Sequence, residues 1–195
     1  MQAAVFTSFD GPAAIEVREM ADPDPDEDEV VLRVEACSLN RHDLKILSEG
    51  IGIGIEEPPF VAGVDVAGVV EATGAAVEDV EPGDRVVRCP NRTCGRCRFC
   101  REGPENRCEQ YSLDHGGLAE RALARADRLI EIPDDLGFAG AASLPVGYLT
   151  AYHMMRRTEV SQGDLVFVPG AAGSVGVAAV GLLDAGTADR PLAQL

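Results

Sequence analysis

Four cysteines lie close together in the chain with the spacing C-x2-C-x2-C-x7-C: Cys94, Cys97, Cys100 and Cys108. Four thiolates at this density can surround one Zn²⁺ ion as a tetrahedron in which every ligand comes from the protein. A zinc ion with no open coordination position stabilises structure and does not bind substrate. The pattern therefore predicts a lobe over residues 94–108 that folds around a structural zinc ion.

Two other uses of clustered cysteines fit this loop less well. The bacterial iron–sulfur pattern places its fourth cysteine after three residues and follows it with proline, whereas here seven residues intervene and Glu109 follows. Disulfides need an oxidising compartment, but the chain starts MQAAVFTSFDG, which lacks the features of a secretory leader. No stretch approaches 18 apolar residues, so we expect no membrane span. We therefore expect a cytoplasmic protein with reduced, zinc-binding thiols.

Five arginines lie in or beside this loop: Arg92, Arg96, Arg98, Arg101 and Arg107. Zinc with four thiolates carries a formal charge of about −2, and cations around the sulfurs lower the cost of that charge. A nucleic-acid patch is the alternative interpretation of the arginines, but the net charge of −16 argues against it. Cys37 and Cys89 lie outside the cluster, where we expect buried thiols that act as small apolar residues.

The composition is that of a globular, acidic protein. Of 195 residues, 33 are Asp or Glu and 17 are Lys or Arg, with Lys45 as the single lysine. An acidic surface with arginine in place of lysine is typical of a halophilic cytosol, and a GC-rich genome is the alternative explanation. The charge argues against nucleic acids and anionic membranes as partners, and it does not identify a substrate.

The first ~130 residues have the pattern of a β-rich domain. Runs with β-branched residues predict strands over residues 3–6, 30–36 and 66–72, and a turn at 81–84 leads into another strand at 85–87. The acidic, proline-bearing segment from Asp22 to Glu29 predicts a solvated loop without a chemical role.

The pattern changes at residue 136. Helical spacing predicts helices over 138–144 and 147–157, with Pro145 at the break or first turn between them. A short buried strand is predicted over 164–169, and an apolar helix over 177–183 follows it.

Small residues connect this strand and this helix, and they are the second chemical signal. A strand, a turn of small residues and a helix start allow a pyrophosphate to approach the backbone and the positive end of the helix. The turn therefore predicts dinucleotide binding by seven residues: Gly170, Ala171, Ala172, Gly173, Ser174, Val175 and Gly176.

Six ordered segments resemble the medium-chain dehydrogenase/reductase family, which includes zinc alcohol dehydrogenases and quinone oxidoreductases. They are residues 36–44, 63–70, 82–86, the four-cysteine lobe, 144–151 and the glycine turn. The resemblance implies a mainly β GroES-like domain with a four-cysteine zinc lobe over 1–135. Connecting helices and an incomplete α/β Rossmann domain, with only its first β–α unit, follow over 136–195. It also implies hydride transfer between NAD(P)H and substrate, and it adds Thr150 to the cofactor-binding residues.

The chain departs from the zinc alcohol dehydrogenases where the resemblance places a catalytic zinc ion. It has Asn40 in place of the first cysteine, Val64 in place of the histidine, and Pro145 near the third ligand. Valine and proline offer no donor atom. We therefore expect a reductase without catalytic zinc, acting on an electrophilic quinone, enone or other carbonyl compound.

The resemblance makes Asn40, His42 and Asp43 the candidate catalytic residues. Asn40 would contact the nicotinamide or the substrate, and His42 would protonate the product. An irregular zinc site formed by Cys37, His42 and Asp65 is the alternative.

The cofactor domain is expected to be incomplete. Only 19 residues follow Gly176, whereas the acid that binds the adenosine ribose lies about 20 residues further on in such domains. The tail 184–195 is polar and contains Pro191, so it predicts no second parallel strand. We therefore expect a C-terminally truncated relative in which the apolar helix 177–183 is exposed.

Three functions stay open for such a chain: an active reductase completed by a homo-oligomer, a catalytically inactive fragment, and a zinc-stabilised module that pairs with a full-length relative. The choice between NADH and NADPH is not determined, because the residues that would contact the ribose or its phosphate are absent.

Overall fold

Strands dominate the first two thirds of the chain in the computed structural model, which describes residues 1–161 and 163–186. The strands are β1 (Gln2–Phe6), β2 (Ile15–Glu19), β3 (Glu29–Ser38), β4 (Phe60–Val61), β5 (Asp65–Thr73), β6 (Arg85–Arg88), β7 (Asn91–Arg92), β8 (Ser112–Leu113), β9 (Arg121–Arg125) and β10 (Leu129–Glu131). The helices are α1 (Arg41–Glu49), α2 (Arg98–Glu102), α3 (Phe138–Ala142), α4 (Pro145–Arg157) and α5 (Ser174–Asp184).

The strands form three antiparallel sheets. Five strands pair in the order β10-β6-β5-β3-β9, three in the order β2-β1-β4, and β7 pairs with β8. The ladder between β3 and β5 shifts register twice, once between Val31 and Leu32 and once between Val34 and Ala36. Such bulges bend a strand and re-aim the side chains that follow it. The end of β3 and the start of β5 both lie at the candidate active site, so this bend contributes to its position.

The central strands are apolar because both of their faces are covered. Val66, Val70 and Val86 belong to the core that β3 and β9 also line. On the opposite face, Ala67 and Val87 pack against residues of α3. Burial on both faces explains why β5 has a continuous apolar run instead of an alternating one.

Helix α1 closes a separate core at the start of the chain. Its residues Ile46 and Leu47 pack with Phe6, Phe60 and Ala62. The helix ends at Gly50, which adopts the left-handed conformation with φ near 60° and donates its N–H to the Ile46 carbonyl. Glycine is favoured at such a C-terminal position because it has no Cβ to clash.

The strands predicted over 3–6, 30–36, 66–72 and 85–87 are confirmed, as are helices in the predicted segments 138–144, 147–157 and 177–183. Pro145 occupies the first turn of α4. Contacts divide the chain into Met1–Ser143 and Leu144–Leu195. The domain boundary at residue 135 stays a prediction.

The buried strand predicted over residues 164–169 is wrong. Residues 164–168 form no strand in the part of the chain that the structure describes. Leu165 is fully exposed and Phe167 is 88% exposed. A strand needs a neighbour to bind its N–H and C=O groups, and the described residues provide no such neighbour here. The apolar face of α5 is also partly exposed, at Val177 and Val180, as expected.

Helices α4 and α5 pack against each other within the second unit. Ala151, Ala178 and Ala179 form their shared core. The predicted tail 184–195 lies outside the described residues from 187 onward. Among the described helices, none combines the length and apolar character needed to cross a membrane.

Candidate metal centre and active site

The four-cysteine lobe lies between two short paired strands. Strands β7 and β8 pair Asn91 with Leu113 and Arg92 with Ser112, so they bring the two ends of the lobe together. Helix α2 begins after Cys97, and a 3₁₀ turn (Glu105–Arg107) ends at Cys108. Each cysteine therefore lies at a turn or at the boundary or interior of a short helix, where the chain can direct sulfur atoms toward a common centre.

The four sulfur atoms are spaced as a zinc site requires. All four lie within 4.8 Å of one another. The Sγ atom of Cys100 is 3.8 Å from that of Cys94 and 3.4 Å from that of Cys97. Zinc–sulfur bonds of about 2.3 Å in a tetrahedron give sulfur–sulfur edges of about 3.8 Å. The donor set and its dimensions therefore fit a Zn²⁺ ion, and Cys94, Cys97, Cys100 and Cys108 are the residues that would hold it.

Backbone N–H groups favour the thiolate form at one of the four cysteines, Cys94. The N–H groups of Arg96 and Cys97 lower the pKa of the Cys94 thiol to about 6. Cys108, which is buried, accepts N–H bonds from Cys94 at 3.5 Å and from Gln110 at 3.4 Å. Thiolates are the form that binds zinc, so the backbone favours that form at Cys94. The Cys100 N–H lowers the pKa of Cys97, but desolvation and bonds to the sulfurs of Cys100 and Cys94 outweigh this effect and raise that pKa to about 11.

The predicted arginines lie on the surface of the lobe. Arg96 and Arg98 line the hollow formed by Cys94, Cys97 and Cys108. Arg98 also stacks on the Phe99 ring at 4.6 Å. In residues 92–109, five arginines offset three glutamates and the charge of about −2 of a zinc–thiolate centre. A zinc-loaded lobe would therefore be electrically balanced, and the absence of nucleic acid among its partners stays a prediction.

Arg128 attaches the lobe to the main sheet. Its guanidinium donates to both carboxylate oxygens of Glu105 at 3.0 Å and to the Thr93 hydroxyl at 3.0 Å. Arg128 follows β9, whereas both acceptors belong to the lobe. This bidentate pair is partly buried, and its planar geometry fixes direction as well as distance.

The candidate catalytic residues form a second cluster around the start of α1. Asn40 donates from Nδ2 to Oδ2 of Asp65 at 2.9 Å. Asp43, 3% exposed, accepts the N–H of Asn40 at 2.7 Å and that of Gly63 at 3.3 Å. The structure therefore brings Asn40, Asp43 and Asp65 together, and it gives Asp43 a role in holding the backbone.

Arg88 lies beneath this cluster and was missed in the sequence. It is fully buried and donates to the carbonyl oxygens of Gly63 at 3.3 Å and Val64 at 3.2 Å. Three further carbonyls accept from it, those of Asp114 at 2.8 Å, His115 at 3.1 Å and Leu123 at 2.8 Å. No local sequence signal distinguishes it from an exposed arginine, because its acceptors are 24 to 35 residues away in the chain.

Cys37 lies beside the same cluster as a protonated thiol. Burial, followed by the charge of Asp43, raises the pKa of Cys37 to about 12. Its sulfur lies 2.8 Å from where a Cβ of Gly63 would stand and 2.9 Å from that of Gly117. Gly63 also has φ near 94°, so glycine is required there for both space and conformation.

In the described part of the chain, Cys37, His42 and Asp65 do not converge as the alternative, irregular zinc site would require. Among the described residues, the four cysteines of the lobe are the only group of three or more possible ligands that converge on one point.

Two histidines stack beside the cluster. The rings of His42 and His115 have centroids 5.5 Å apart and an interplanar angle of 25°. Phe60 contacts His115 edge-on, with centroids 4.9 Å apart. His42 was a candidate from the sequence, whereas His115 was not, since it is 73 residues away in the chain.

The sequence pattern of the alcohol dehydrogenase GroES-like domain matches residues 26–134. The chain belongs to this family. An alcohol dehydrogenase of Geobacillus stearothermophilus is 34% identical over 179 residues, or 89% of this chain and 52% of that protein. A quinone oxidoreductase of Lama guanicoe is 33% identical over 183 residues, or 92% of this chain and 48% of that protein.

Solved structures agree with this assignment. The crystal structure of an NAD-dependent alcohol dehydrogenase aligns with a TM-score of 0.90 and 35% identity, over 95% of this chain and 55% of that one. The chain spans about half the length of the curated relatives it matches. The resemblance to medium-chain dehydrogenases/reductases is therefore confirmed, including the GroES-like fold of the first unit.

The structure also shows the surroundings of the three residues that stand where the sequence resemblance places catalytic zinc ligands. Val64 is fully buried and has no donor atom. The amide nitrogen of Asn40 donates a hydrogen bond to the Asp65 carboxylate. Pro145 is buried in the first turn of α4.

The glycine turn lies in the second unit and fits a dinucleotide phosphate. Gly170 has φ near 75°, and α5 begins after Gly173. A Cβ on Gly176 would overlap the Gly170 carbonyl oxygen and lie 2.6 Å from the Ala171 Cα. The first N–H groups of a helix have no partner within it, so those of α5 are available to an anion.

The other predicted cofactor residues have less definite positions. Ala171, Ala172 and Ser174 are exposed in the turn and at the helix start, and Val175 is partly buried. Thr150 is exposed on α4. Their roles in cofactor binding stay predictions.

Proposed function

We propose that the chain provides the catalytic domain and the start of the cofactor domain of an NAD(P)H-dependent oxidoreductase. The proposed reaction is reduction of a quinone or conjugated enone, with zinc in a structural role only. Membership of the family and the names of its relatives, an alcohol dehydrogenase and a quinone oxidoreductase, support the reaction class.

The hydrogen bond between Asn40 and Asp65 is the observation that supports a quinone or enone as substrate. This bond, 2.9 Å long, involves the residue that stands in place of the first catalytic zinc ligand, and Val64 leaves no donor at the second. Without a Lewis acid to polarise a carbonyl, the substrate must already be electrophilic. Quinones and conjugated enones meet this requirement.

The reduction requires one hydride and one proton. The turn from Gly170 to Gly176 would hold the dinucleotide, and its nicotinamide would supply the hydride to the β-carbon of an enone, with the C=C π electrons moving to the α-carbon and carbonyl oxygen. His42 would provide the proton that completes the saturated carbonyl compound. Asp65 holds the Asn40 side chain, and Asp43 holds the backbone at Asn40 and Gly63.

Calorimetric titration with NADH and with NADPH tests this proposal. The chain contains no tryptophan to report binding by fluorescence, and molar KCl screens its charge of −16. We expect dissociation constants in the micromolar range, followed by stoichiometric NAD(P)H oxidation with a quinone.

A matched variant makes the titration specific. Gly176→Val places a side chain where the Gly170 carbonyl lies, so it should abolish cofactor binding, whereas Gly181→Ala within α5, whose Cβ would come no closer than 3.7 Å to another atom, should not. Absence of binding up to millimolar cofactor would contradict the proposed function of this chain.

Exposure in the second unit favours a second candidate, a module that pairs with a full-length relative. Leu165 and Phe167 are exposed and belong to no strand among the described residues. Such a segment can add to another sheet. A chain that remains monomeric in sedimentation experiments when mixed with a full-length relative would exclude this candidate.

A further inference from the structure

The stacked histidines His42 and His115 have two buried ring nitrogens with no use in the site described so far. Within the described part of the chain, neither Nε2 of His42 nor Nδ1 of His115 has a hydrogen-bond partner. Buried polar atoms are almost always paired, so an exception requires an explanation. Both atoms belong to rings that stack directly on each other.

The tautomer of His115 follows from its hydrogen bond. Its Nε2 atom lies 2.9 Å from the carbonyl oxygen of Ile53. A carbonyl oxygen only accepts, so Nε2 must carry the hydrogen. In the neutral ring Nδ1 is then a bare acceptor, and protonating it would bury a donor for which the described residues provide no acceptor.

The groups around His115 also disfavour a charge on its ring. Burial comes first among the causes that lower the pKa of His115, and charge on His42 and on Arg88 acts in the same direction. The Ile53 carbonyl and the Asp43 carboxylate oppose this change. Phe60 contributes an uncharged ring edge. The net direction favours a neutral His115.

We propose that His115 is a positioning residue for His42: it stacks on the His42 ring as a neutral Nε2–H imidazole and holds the plane of that ring. Two imidazolium rings 5.5 Å apart would repel each other, so a positive charge on both rings at once is disfavoured. A neutral ring under His42 therefore holds it in place without adding a second charge to the stack. The inference extends the proposed function, since the reduction needs a proton at His42.

Nitrogen-15 NMR of the labelled chain in molar KCl tests the pair without any turnover. The chain has three histidines, so each ring gives a separable signal. We expect the chemical shifts of His115 to be those of the Nε2–H tautomer, and its titration midpoint to lie below 6.5, the ordinary pKa of histidine. An Nδ1–H tautomer, or a midpoint at or above 6.5, would overturn the proposal.

A substitution tests the coupling between the rings. His42→Phe keeps a ring in the stack and removes its charge, so the titration midpoint of His115 should rise by at least about 0.5 pH unit. His153→Phe is the matched control and should leave that midpoint unchanged. An unchanged midpoint in a folded His42→Phe variant would contradict the proposal. If this variant does not fold, the tautomer and titration of His115 in the unmodified chain decide.

These outcomes separate the inference from the proposed function. Failure to bind NAD(P)H contradicts the proposed function and leaves the NMR result standing. A positive charge on both rings at once contradicts the inference, even when the chain binds cofactor and oxidises it.

Discussion

The four-cysteine lobe and the Asn40 cluster (Asn40, Asp43 and Asp65, with Arg88 beneath them) are both irregular segments that a cation can hold in place, but the cations differ. Both lie next to the main sheet, where backbone groups lack regular partners. In the lobe, four sulfurs lie within 4.8 Å of one another and fit a zinc ion. In the cluster, the guanidinium of Arg88 donates to five carbonyl oxygens. The cation of the lobe would be a bound zinc ion, whereas the cation of the cluster is the side chain of Arg88.

This difference between a bound ion and a side chain indicates which of the two sites would need a metal ion to keep its shape. The lobe has a five-residue helix and a two-stranded ladder, which are too short to be stable alone. The cluster contains no set of converging metal ligands among the described residues, yet its segments are fixed by Arg88 and by two buried aspartates. A metal ion would therefore shape the lobe, whereas the candidate catalytic residues are held by hydrogen bonds.

Removal of zinc from the lobe should have the largest effect. Structural zinc in isolated peptides is bound with roughly 10–16 kcal/mol, and its loss unfolds them. We expect Cys97→Ser to bind less than one equivalent of zinc and to lose roughly 5 kcal/mol or more of unfolding free energy. Atomic emission and thermal melts with and without chelator measure both quantities.

Cys89→Ser is the matched control for this experiment, since Cys89 lies outside the cluster. It should retain one equivalent of zinc and lose stability only slightly. A metal-free protein whose melt is the same as that of the zinc-loaded protein would show that the lobe does not depend on the ion.

Arg88→Met should have the next largest effect, because the cluster depends on this side chain. Five carbonyl oxygens lose a charged donor, and methionine fills part of the space without replacing any bond. We expect a loss of about 3–4 kcal/mol of unfolding free energy in urea. Arg101→Met, at an exposed position on the lobe, should cost far less. Equal losses from both variants would be evidence against the role of Arg88.

Asn40→Ala tests the bond that replaces the first metal ligand. Asp65 is 1% exposed, and it would lose the Nδ2 donor at 2.9 Å. We expect a loss of about 2 kcal/mol of unfolding free energy, with zinc content unchanged. The exposed Asn106 provides the control substitution, Asn106→Ala. A fall in zinc content in Asn40→Ala would mean that the cluster, and not only the lobe, binds metal.

The sequence predicted sites that depend on local spacing and missed those that depend on distant contacts. The cysteines are 3, 3 and 8 positions apart, so their convergence could be predicted directly. Arg88 and His115 acquire their roles from partners more than 20 residues away. The prediction for residues 164–169 failed for the same reason: their apolar composition is that of a strand, but a strand also needs a paired neighbour.

A pH dependence of stability should be the smallest effect, and it reports on the cluster alone. The pKa of His115 is lowered from its ordinary value of 6.5 in the folded chain, first by burial. Below pH 6.5 the unfolded chain therefore binds more protons than the folded chain, and stability is lost as the pH falls toward the lowered pKa. Between pH 7 and 5.5 the loss from this residue should be at most about 1 kcal/mol, because solvent screens its exposed edge. Urea unfolding at both pH values measures it: His115→Phe should show a smaller loss than the unmodified chain, and His153→Phe should show the same loss. If His115→Phe retained the full pH dependence, another group would be responsible for the loss of stability in acid. Burial of His115 would then make no measurable contribution to the pH dependence of the cluster.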